Sequence, residues 1–141
     1  YRKAFEEKNL KVPEELICYV QDGIDYYSME NGYLTTKKLL ASGQKVTAIF
    51  ATADSLAIGA CRAVLEAGKR VPEDISVAGF DGIEMGEYYN PKLTTMKQPV
   101  EKMAKDSIRL LLDVIAERQE HQHRIFPAEL TVRESTGRYT G

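Results

Sequence analysis

The sequence predicts an α/β fold, a doubly wound and mainly parallel sheet with helices on both faces. Three apolar runs of five or six residues lack polar alternation, which is typical of strands covered on both sides. Helix-period segments of about a dozen residues separate these runs, as in the right-handed crossovers that join parallel strands. The 141 residues are 43% hydrophobic and carry a net charge of −2, which indicates an ordinary globular domain.

The elements of the first half follow from these patterns and from the residues that begin or end helices. In chain order they are strand 16–20, helix 28–40, strand 46–50, helix 54–67 and strand 75–80. Ser28 can cap the first helix, and Asp54 or Ser55 opens the second. Gly43 and Gly68 stand where these helices should end, because glycine readily adopts the conformation of a helix C-terminus.

The second half of the chain is less regular. Its predicted elements are an irregular or short helical segment 81–91, a brief strand 93–96, a long helix from Pro99 to about Arg118, a polar turn 117–123, and strand-like pieces 124–126 and 129–132. Proline suits the first turn of a helix, where its missing N–H is not needed. Apolar residues recur on one stripe of the long helix, so one of its faces should be covered.

Composition and charge exclude several classes of protein. The near-neutral balance argues against a nucleic-acid-binding module, and no apolar run reaches the roughly 18 residues of a membrane helix. Cys18 and Cys61 each lie in an apolar run, so both are predicted to be buried free thiols in a reducing compartment. The chain begins at Tyr1 in a helical pattern that lacks a start signal, and we expect it to be part of a longer protein.

The sequence contains no recognisable set of catalytic residues, and we predict that the protein is not an enzyme. Ser28 and Ser55 have no partner histidine in their loops, and a G-x-S-x-G turn is absent. The glycine-rich motifs that cradle phosphates are absent as well. His121 and His123 lack a cysteine or clustered carboxylates at ligand spacing, so the prediction includes neither a metal nor a cofactor.

A binding site is predicted at the carboxyl edge of the sheet, where ligands collect in doubly wound folds. Tyr26 and Tyr27 supply aromatic faces after the first strand, and Asp54 and Asp81 supply carboxylates after the second and third. A ring can cover the C–H face of a sugar while a carboxylate accepts its hydroxyls.

Each of these residues also has a simpler interpretation. Tyr27 could pack at a strand end, and Asp81 with Gly82 is a common turn pair. For Asp54 the helix N-cap is the favoured interpretation, since aspartate is a leading cap residue.

Three motifs closely resemble the LacI/GalR family of bacterial transcription repressors. They are Ala51-Thr52-Ala53-Asp54-Ser55-Leu56-Ala57-Ile58-Gly59-Ala60, Val71-Pro72-Glu73-Asp74-Ile75-Ser76-Val77-Ala78-Gly79-Phe80-Asp81 and Pro91-Lys92-Leu93-Thr94-Thr95-Met96-Lys97-Gln98-Pro99. Their order and spacing make the resemblance specific, and it covers nearly the whole chain. It implies a periplasmic-binding-protein-like fold of type I, of which this chain is mainly the C-terminal subdomain.

The resemblance also implies roles for particular residues. Asp81 stands where the family has an aspartate that accepts sugar hydroxyls, and Tyr27 where it has an aromatic residue that stacks on the ligand. Gln98 stands at a crossing between two subdomains, where it commonly faces the ligand. Asp54 is retained as a candidate contact, although this chain has Ala53 where the family often has a ligand-binding asparagine. The family's ligand-gripping arginine would lie upstream of Tyr1.

Domain organisation and assembly are expected to follow the family. Residues 1–97 would form the C-terminal effector-binding subdomain, residues 98–122 a crossover helix of the N-terminal subdomain, and residues 123–141 the returning strands and tail. Dimers would form through the helix around Ile58 and the Tyr88-Tyr89 segment. The apolar surface of helix 54–67 agrees with this, but a helix fully buried within one subunit would explain it equally well.

We therefore expect a cytoplasmic, sugar-responsive transcription regulator that acts as a repressor. This chain would be part of its sensor core. A sugar or nucleobase-like effector in the cleft between the subdomains would change how an N-terminal helix-turn-helix outside this chain meets operator DNA. The protein is expected to form a homodimer and to have no membrane partner. The alternative is a periplasmic sugar-binding protein of a transporter, which shares the fold and the cleft.

Overall fold

The computed structural model describes residues 1–116, 118 and 122–139. The described helices are α1 (Arg2–Glu6), α2 (Met29–Ala41), α3 (Asp54–Glu66), α4 (Met85–Tyr88) and α5 (Val100–Ile115). The described strands are β1 (Ala48–Phe50), β2 (Ser76–Asp81), β3 (Thr94–Lys97) and β4 (Glu129–Thr131), and a single 3-10 turn spans Glu14–Leu16. None of the described helices is long and apolar enough to cross a membrane.

The four strands form one mixed sheet in the order β1-β2-β3-β4. β1, β2 and β3 are parallel, while β4 runs antiparallel to β3 and closes that edge. α3 connects β1 to β2 and packs against both strands. The predicted α/β class and its mainly parallel sheet are confirmed.

The start of α2 confirms the predicted cap. The Ser28 side chain accepts a hydrogen bond from the backbone N–H of Asn31 at 3.1 Å, which satisfies one of the free donors of the first turn. Gly43 and Gly68, just beyond α2 and α3, have positive φ angles of 77° and 73°, as predicted for residues that end helices.

The hydrophobic core lies around α3, which buries nine of its 13 residues. The core residues are Ala57, Ile58, Ala60, Cys61, Val64, Val71, Ile75, Val77 and Leu93. On its other side α3 meets α2 at two glycines. A Cβ on Gly59 would lie 1.9 Å from the Met29 carbonyl oxygen, and one on Gly32 would lie 2.2 Å from the Leu56 carbonyl oxygen. Apart from Leu65, which is 43% exposed, the apolar surface of α3 is therefore covered within this chain.

The strand predicted at Leu16–Val20 is wrong. The Glu14–Leu16 turn takes the local hydrogen bonds, with the Ile17 N–H donating to the Glu14 carbonyl oxygen at 3.1 Å. The residues that follow do not pair with β1 in the described structure, and a largely apolar cavity of about 390 Å³ lies between the two segments. Cys18, on this segment, is exposed, whereas Cys61 is buried, so the prediction of two buried thiols holds for Cys61 alone.

The strand-like piece Arg124–Phe126 is also not a strand. This segment contacts α5 instead of the sheet: Arg124 pairs with Asp106 at 3.2 Å, and Lys102 lies 5.9 Å from the centre of the Phe126 ring. Ile125 is consequently 95% exposed. Only the following piece joins the sheet, as β4.

The long helix α5 begins after Pro99, as predicted, but its apolar stripe is uncovered. Val100, Ile108, Leu111, Leu112 and Ile115 are each more than half exposed, and α5 contains no buried residue. These five residues, called here the α5 stripe, recur at helical spacing on one face. Residue 117, near the end of the predicted helix, lies outside the described residues, and so does His121. The positions just before residue 122, where the subdomain boundary is predicted, are also outside them.

Candidate ligand-binding site

Three loops meet at the carboxyl edge of the parallel strands. They follow β1, β2 and β3: Asp54 begins α3 after the first loop, Asp81 ends β2 before the second, and Gln98 lies in the third. The loop before α2, which carries Tyr27, joins them through a hydrogen bond from the Ser55 hydroxyl to the Tyr27 carbonyl oxygen. All four predicted binding residues therefore lie in one connected region.

Asp81 and Gln98 are hydrogen-bonded to each other at an open cleft. The Gln98 Nε2 donates to Asp81 Oδ1 at 2.7 Å, and the Gln98 backbone N–H donates to the Asp81 carbonyl oxygen at 3.1 Å. Both residues line a cleft of about 610 Å³, whose other wall is the N-terminal half of α5. Charged side chains of both signs also line this cleft, among them Lys97, Lys102 and Glu101.

The backbone of Asp81 is strained. Its φ of 121° lies in a region that favours glycine, and such conformations typically cost about 1–3 kcal/mol. A strained residue persists only where its surroundings fix it, and it is commonly found at binding sites. The position of the Asp81 carboxylate is therefore set by the loop rather than by local preference.

Asp54 lies beneath this site and is fully buried. It is the first residue of α3, and the N-cap is Ala53, so the capping interpretation is not realised. Its Oδ2 accepts hydrogen bonds from the backbone N–H groups of Gly82 and Ile83, both at 2.8 Å. Its Oδ1 accepts a hydrogen bond from the Thr95 hydroxyl at 2.5 Å. In this conformation Asp54 faces the loop after β2 and not the cleft.

Tyr27 is 65% exposed at the end of the loop that precedes α2. Its backbone N–H donates to Asp25 Oδ1 at 3.0 Å. The start of this loop is held by Asn31, which is fully buried and bonds both backbone groups of Gln21, at 2.8 and 3.0 Å. The ring of Tyr27 is free to meet a ligand, while its backbone is fixed. Neighbouring Tyr26 donates its hydroxyl to Asp22 at 2.9 Å.

Sequence reasoning missed three residues that organise the site: Asn31, Ser55 and Thr95. Asn31 and Ser55 use their side chains to hold the loop before α2, and Thr95 holds Asp54. Asn31 and Thr95 are fully buried. The signal that could have identified these residues is a polar residue among apolar neighbours in a helix or strand. Such a residue is expected to be buried and to hydrogen-bond other parts of the chain.

The residues predicted at a dimer interface differ in exposure. Tyr88 is 80% exposed, whereas Ile58 is only 5% exposed. The Tyr89 hydroxyl donates to the Ile58 carbonyl oxygen at 3.5 Å, and burial raises the pKa of this hydroxyl. Of these three side chains, that of Tyr88 is the most available to a partner in this conformation.

The described part of the chain contains no group of three or more His, Cys, Asp or Glu side chains that could hold a metal ion. The site as described is thus a carboxylate and an amide at a cleft, with an exposed aromatic ring on a loop that is hydrogen-bonded to the start of α3. This combination suits a polyhydroxylated ligand better than it suits acid–base or nucleophilic chemistry.

A sheet of this kind with a cleft at its carboxyl edge defines a ligand-binding α/β domain. The chain belongs to the periplasmic binding protein-like domain family, whose model matches residues 1–136. Its relatives are regulators. It is 42% identical over 135 residues to the HTH-type transcriptional regulator MalR of Clostridium butyricum, covering 96% of this chain and 39% of MalR.

Two further comparisons agree. The chain is 40% identical to the HTH-type transcriptional repressor MelR of Bacillus subtilis, covering 95% of this chain and 37% of MelR. It is 35% identical to a solved LacI family transcriptional regulator from Enterococcus faecium with bound ribose, with a TM-score of 0.81, covering 96% of this chain and 48% of that one. The resemblance to LacI-family regulators is confirmed, and these relatives favour a regulator over a transporter component. The chain spans well under half of the two curated relatives.

Proposed function

We propose that this chain is the ligand-sensing part of a sugar-responsive transcription repressor. The observation that carries the proposal is the Asp81 carboxylate, fixed at an open cleft by Gln98 and by a strained backbone. The kinship with LacI-family regulators, one of which was solved with ribose, supports the same conclusion.

The ligand would be held by complementary contacts. Asp81 accepts two ligand hydroxyls side by side, in hydrogen bonds strengthened by its charge. Tyr27 covers the C–H face of the sugar ring, and Gln98 orients the carboxylate while presenting its own amide to the ligand. A hexose, a pentose or a purine offers the required donors and a flat face, and sugars are the preferred class because of the carboxylate.

Beyond the wall that α5 supplies, the rest of the cleft would be formed by a subdomain outside this chain. In this proposal residues 1–97 form one subdomain, residues 98–122 contribute to the other, and residues 123–141 return to the first. The exposed α5 stripe supports this division, because a continuous apolar helix face normally marks a contact surface. Ligand binding between the subdomains would then change their relative orientation.

Regulation would follow from coupling rather than from chemistry. The protein acts as a homodimer in the cytoplasm, and a helix-turn-helix domain outside this chain binds operator DNA. Effector binding changes operator affinity through a coupling free energy, commonly about 1–3 kcal/mol. Tyr88, exposed on α4, is the best available contact at the proposed dimer interface.

The decisive experiment measures operator affinity of the full-length protein against a panel of effectors. The panel contains ribose, glucose, maltose, cellobiose and hypoxanthine, and the readout is fluorescence anisotropy of labelled operator DNA. At least one sugar should change the dissociation constant by about fivefold or more, the lower end of typical coupling. Operator affinity that stays the same across the panel contradicts the sensing role.

Substitution of Asp81 tests the site itself. Asp81→Ala should abolish the thermal stabilisation that the active sugar gives to the full-length protein, because the hydroxyl acceptor is lost. The matched control is Glu73→Ala, which removes an exposed carboxylate before β2, at the opposite edge of the sheet. An unchanged thermal shift in Asp81→Ala would remove Asp81 from the binding site.

A further inference from the structure

Asp54 is a fully buried carboxylate that the ligand contacts do not require. Its hydrogen bonds within the described structure come from two backbone N–H groups and one hydroxyl, not from a basic side chain. A buried charge without an ion partner is unfavourable unless several donors compensate it. These donors come from the loop after β2 and from strand β3, which indicates that the two segments are arranged around this side chain.

The neighbouring backbone makes room for the carboxylate. A Cβ on Gly79 of β2 would lie 2.2 Å from Asp54 Oδ1, so only glycine leaves the space that this oxygen occupies. Gly79 and Thr95 are register partners in the sheet, and the Thr95 hydroxyl reaches the same oxygen. One oxygen of Asp54 is thereby fixed to the sheet.

The other oxygen of Asp54 fixes the loop. It accepts from the N–H groups of Gly82 and Ile83, the two residues directly after Asp81. Gly82 has a φ of 79°, and a Cβ there would meet the Lys97 side chain at 2.6 Å. The peptide that follows Asp81 is therefore held from below by Asp54.

We infer that Asp54 is a positioning residue, which anchors the Gly82-Ile83 backbone to the sheet and so keeps Asp81 in its strained, cleft-facing conformation. Gln98 holds the Asp81 side chain from one side, and Asp54 holds the N–H groups of the next two residues from the other. Two backbone N–H donors need an acceptor oxygen and not a negative charge. An asparagine can supply that oxygen and can donate its amide to the Thr95 hydroxyl, so it should preserve the anchor.

The test compares variants of the full-length protein without ligand. Hydrogen exchange of peptides covering residues 79–85 should be at least about tenfold faster in Asp54→Ala, because the variant removes the acceptor of both loop N–H groups and the loss of one such bond already gives about tenfold. Asp54→Asn should stay within about threefold of the wild type, because it keeps the acceptor. The matched control is Val64→Ala, which opens a cavity at a fully buried position of the same helix without touching the loop.

A second readout follows Asp81 directly. The Gln98 side-chain amide resonance reports its bond to Asp81, and in Asp54→Ala it should move towards its position in Asp81→Ala. The inference is overturned if exchange in Asp54→Ala equals that of the wild type, or if Val64→Ala accelerates the same peptides equally at matched loss of stability. Should Asp54→Ala fail to fold, Thr95→Val gives the same test with a smaller expected change, about threefold.

The functional step of this inference rests on the proposed sugar-binding role. Ribose affinity should fall about tenfold in Asp54→Ala and remain near the wild type in Asp54→Asn, if ribose is the effector that the panel identifies. Failure of every panel compound to bind the wild type would contradict the proposed function alone, since the exchange and resonance measurements need no ligand.

Discussion

At the scale of single residues, the site divides side chains that face a ligand from side chains that hold loops. Asp81 and Tyr27 present a carboxylate and an exposed ring. Asn31 and Thr95 are fully buried and bond only to other parts of the protein. Asp81 depends on both groups of side chains: its carboxylate faces the cleft, but its strained φ persists only where surrounding residues fix the backbone.

Thr95 should contribute measurably to stability. Thr95→Val removes the donor to a buried carboxylate oxygen and keeps the shape of the side chain, so urea unfolding should show a loss of about 1–3 kcal/mol. Thr95→Ser keeps the hydroxyl, and its loss should be clearly smaller. Equal losses for valine and serine would show that packing, and not the hydrogen bond to Asp54, carries the effect.

The two cysteines should differ in reactivity. Burial raises the pKa of the Cys61 thiol to about 12, so at pH 8 it stays protonated and inaccessible. Cys18 is exposed, although partial burial also raises the pKa of its thiol, and its labelling should therefore accelerate as the pH rises above 8.

Iodoacetamide at pH 8, followed by peptide mass spectrometry, should modify Cys18 and spare Cys61 in the native protein. Both should react in urea, which provides the control. Equally fast native labelling of the two thiols would contradict the burial of Cys61.

At the scale of elements, the sequence predicted what depends on local signals. Ser28, Gly43 and Gly68 mark helix ends by their own chemistry, and the structure agrees. The segment 16–20 has the composition of a strand, but none of the described segments pairs with it, and pairing is a property of two segments together. The same holds for 124–126, where contacts with α5 replace the sheet.

For the candidate site, the sequence predicted the binding residues but not the hydrogen bonds that hold them in place. Tyr27, Asp81 and Gln98 were selected by the family resemblance and by the rule that ligands gather at the carboxyl edge of the strands. Asp81 and Gln98 are hydrogen-bonded to each other. The loop of Tyr27 is connected to them through the adjacent residues Ser55 and Asp54. The hydrogen bonds of Asp54 join residues 28 to 41 positions apart in the chain. No local pattern contains that information.

The contact between α2 and α3 gives a prediction for Gly59. Glycine to alanine normally stabilises a helix by up to about 1 kcal/mol. Here the added methyl would lie 1.9 Å from the Met29 carbonyl oxygen, so Gly59→Ala must separate the helices and should destabilise the protein by about 1–3 kcal/mol.

Urea unfolding measures this change. Arg62→Ala, an exposed substitution on the same helix, serves as the control and should change stability by no more than about 0.5 kcal/mol. A stabilising effect of Gly59→Ala would mean that the two helices are not in such close contact.

At the scale of the whole molecule, the α5 stripe leads to a prediction about the full-length protein. If the proposed second subdomain covers this face, Ile108→Ser should lower the stability of the full-length protein by about 2–4 kcal/mol, as for other large apolar groups removed from a core. Lys105→Ser, an exposed change on the same helix, should be nearly neutral. Similar small effects for both variants would argue that the face stays exposed.

The hydrogen bonds of Asp54 and Ser55 have a consequence for how new ligand preferences could arise. Ser55 holds the loop that carries Tyr27, and Asp54 holds the loop that follows Asp81. Neither of these hydrogen bonds involves the Tyr27 or Asp81 side chain that would face a ligand. The outward side chains can therefore be exchanged while the platform beneath them stays intact. Libraries that vary positions 27, 81 and 98 on an unaltered 54–55 pair should yield folded sensors with altered specificity far more often than libraries that vary the pair itself.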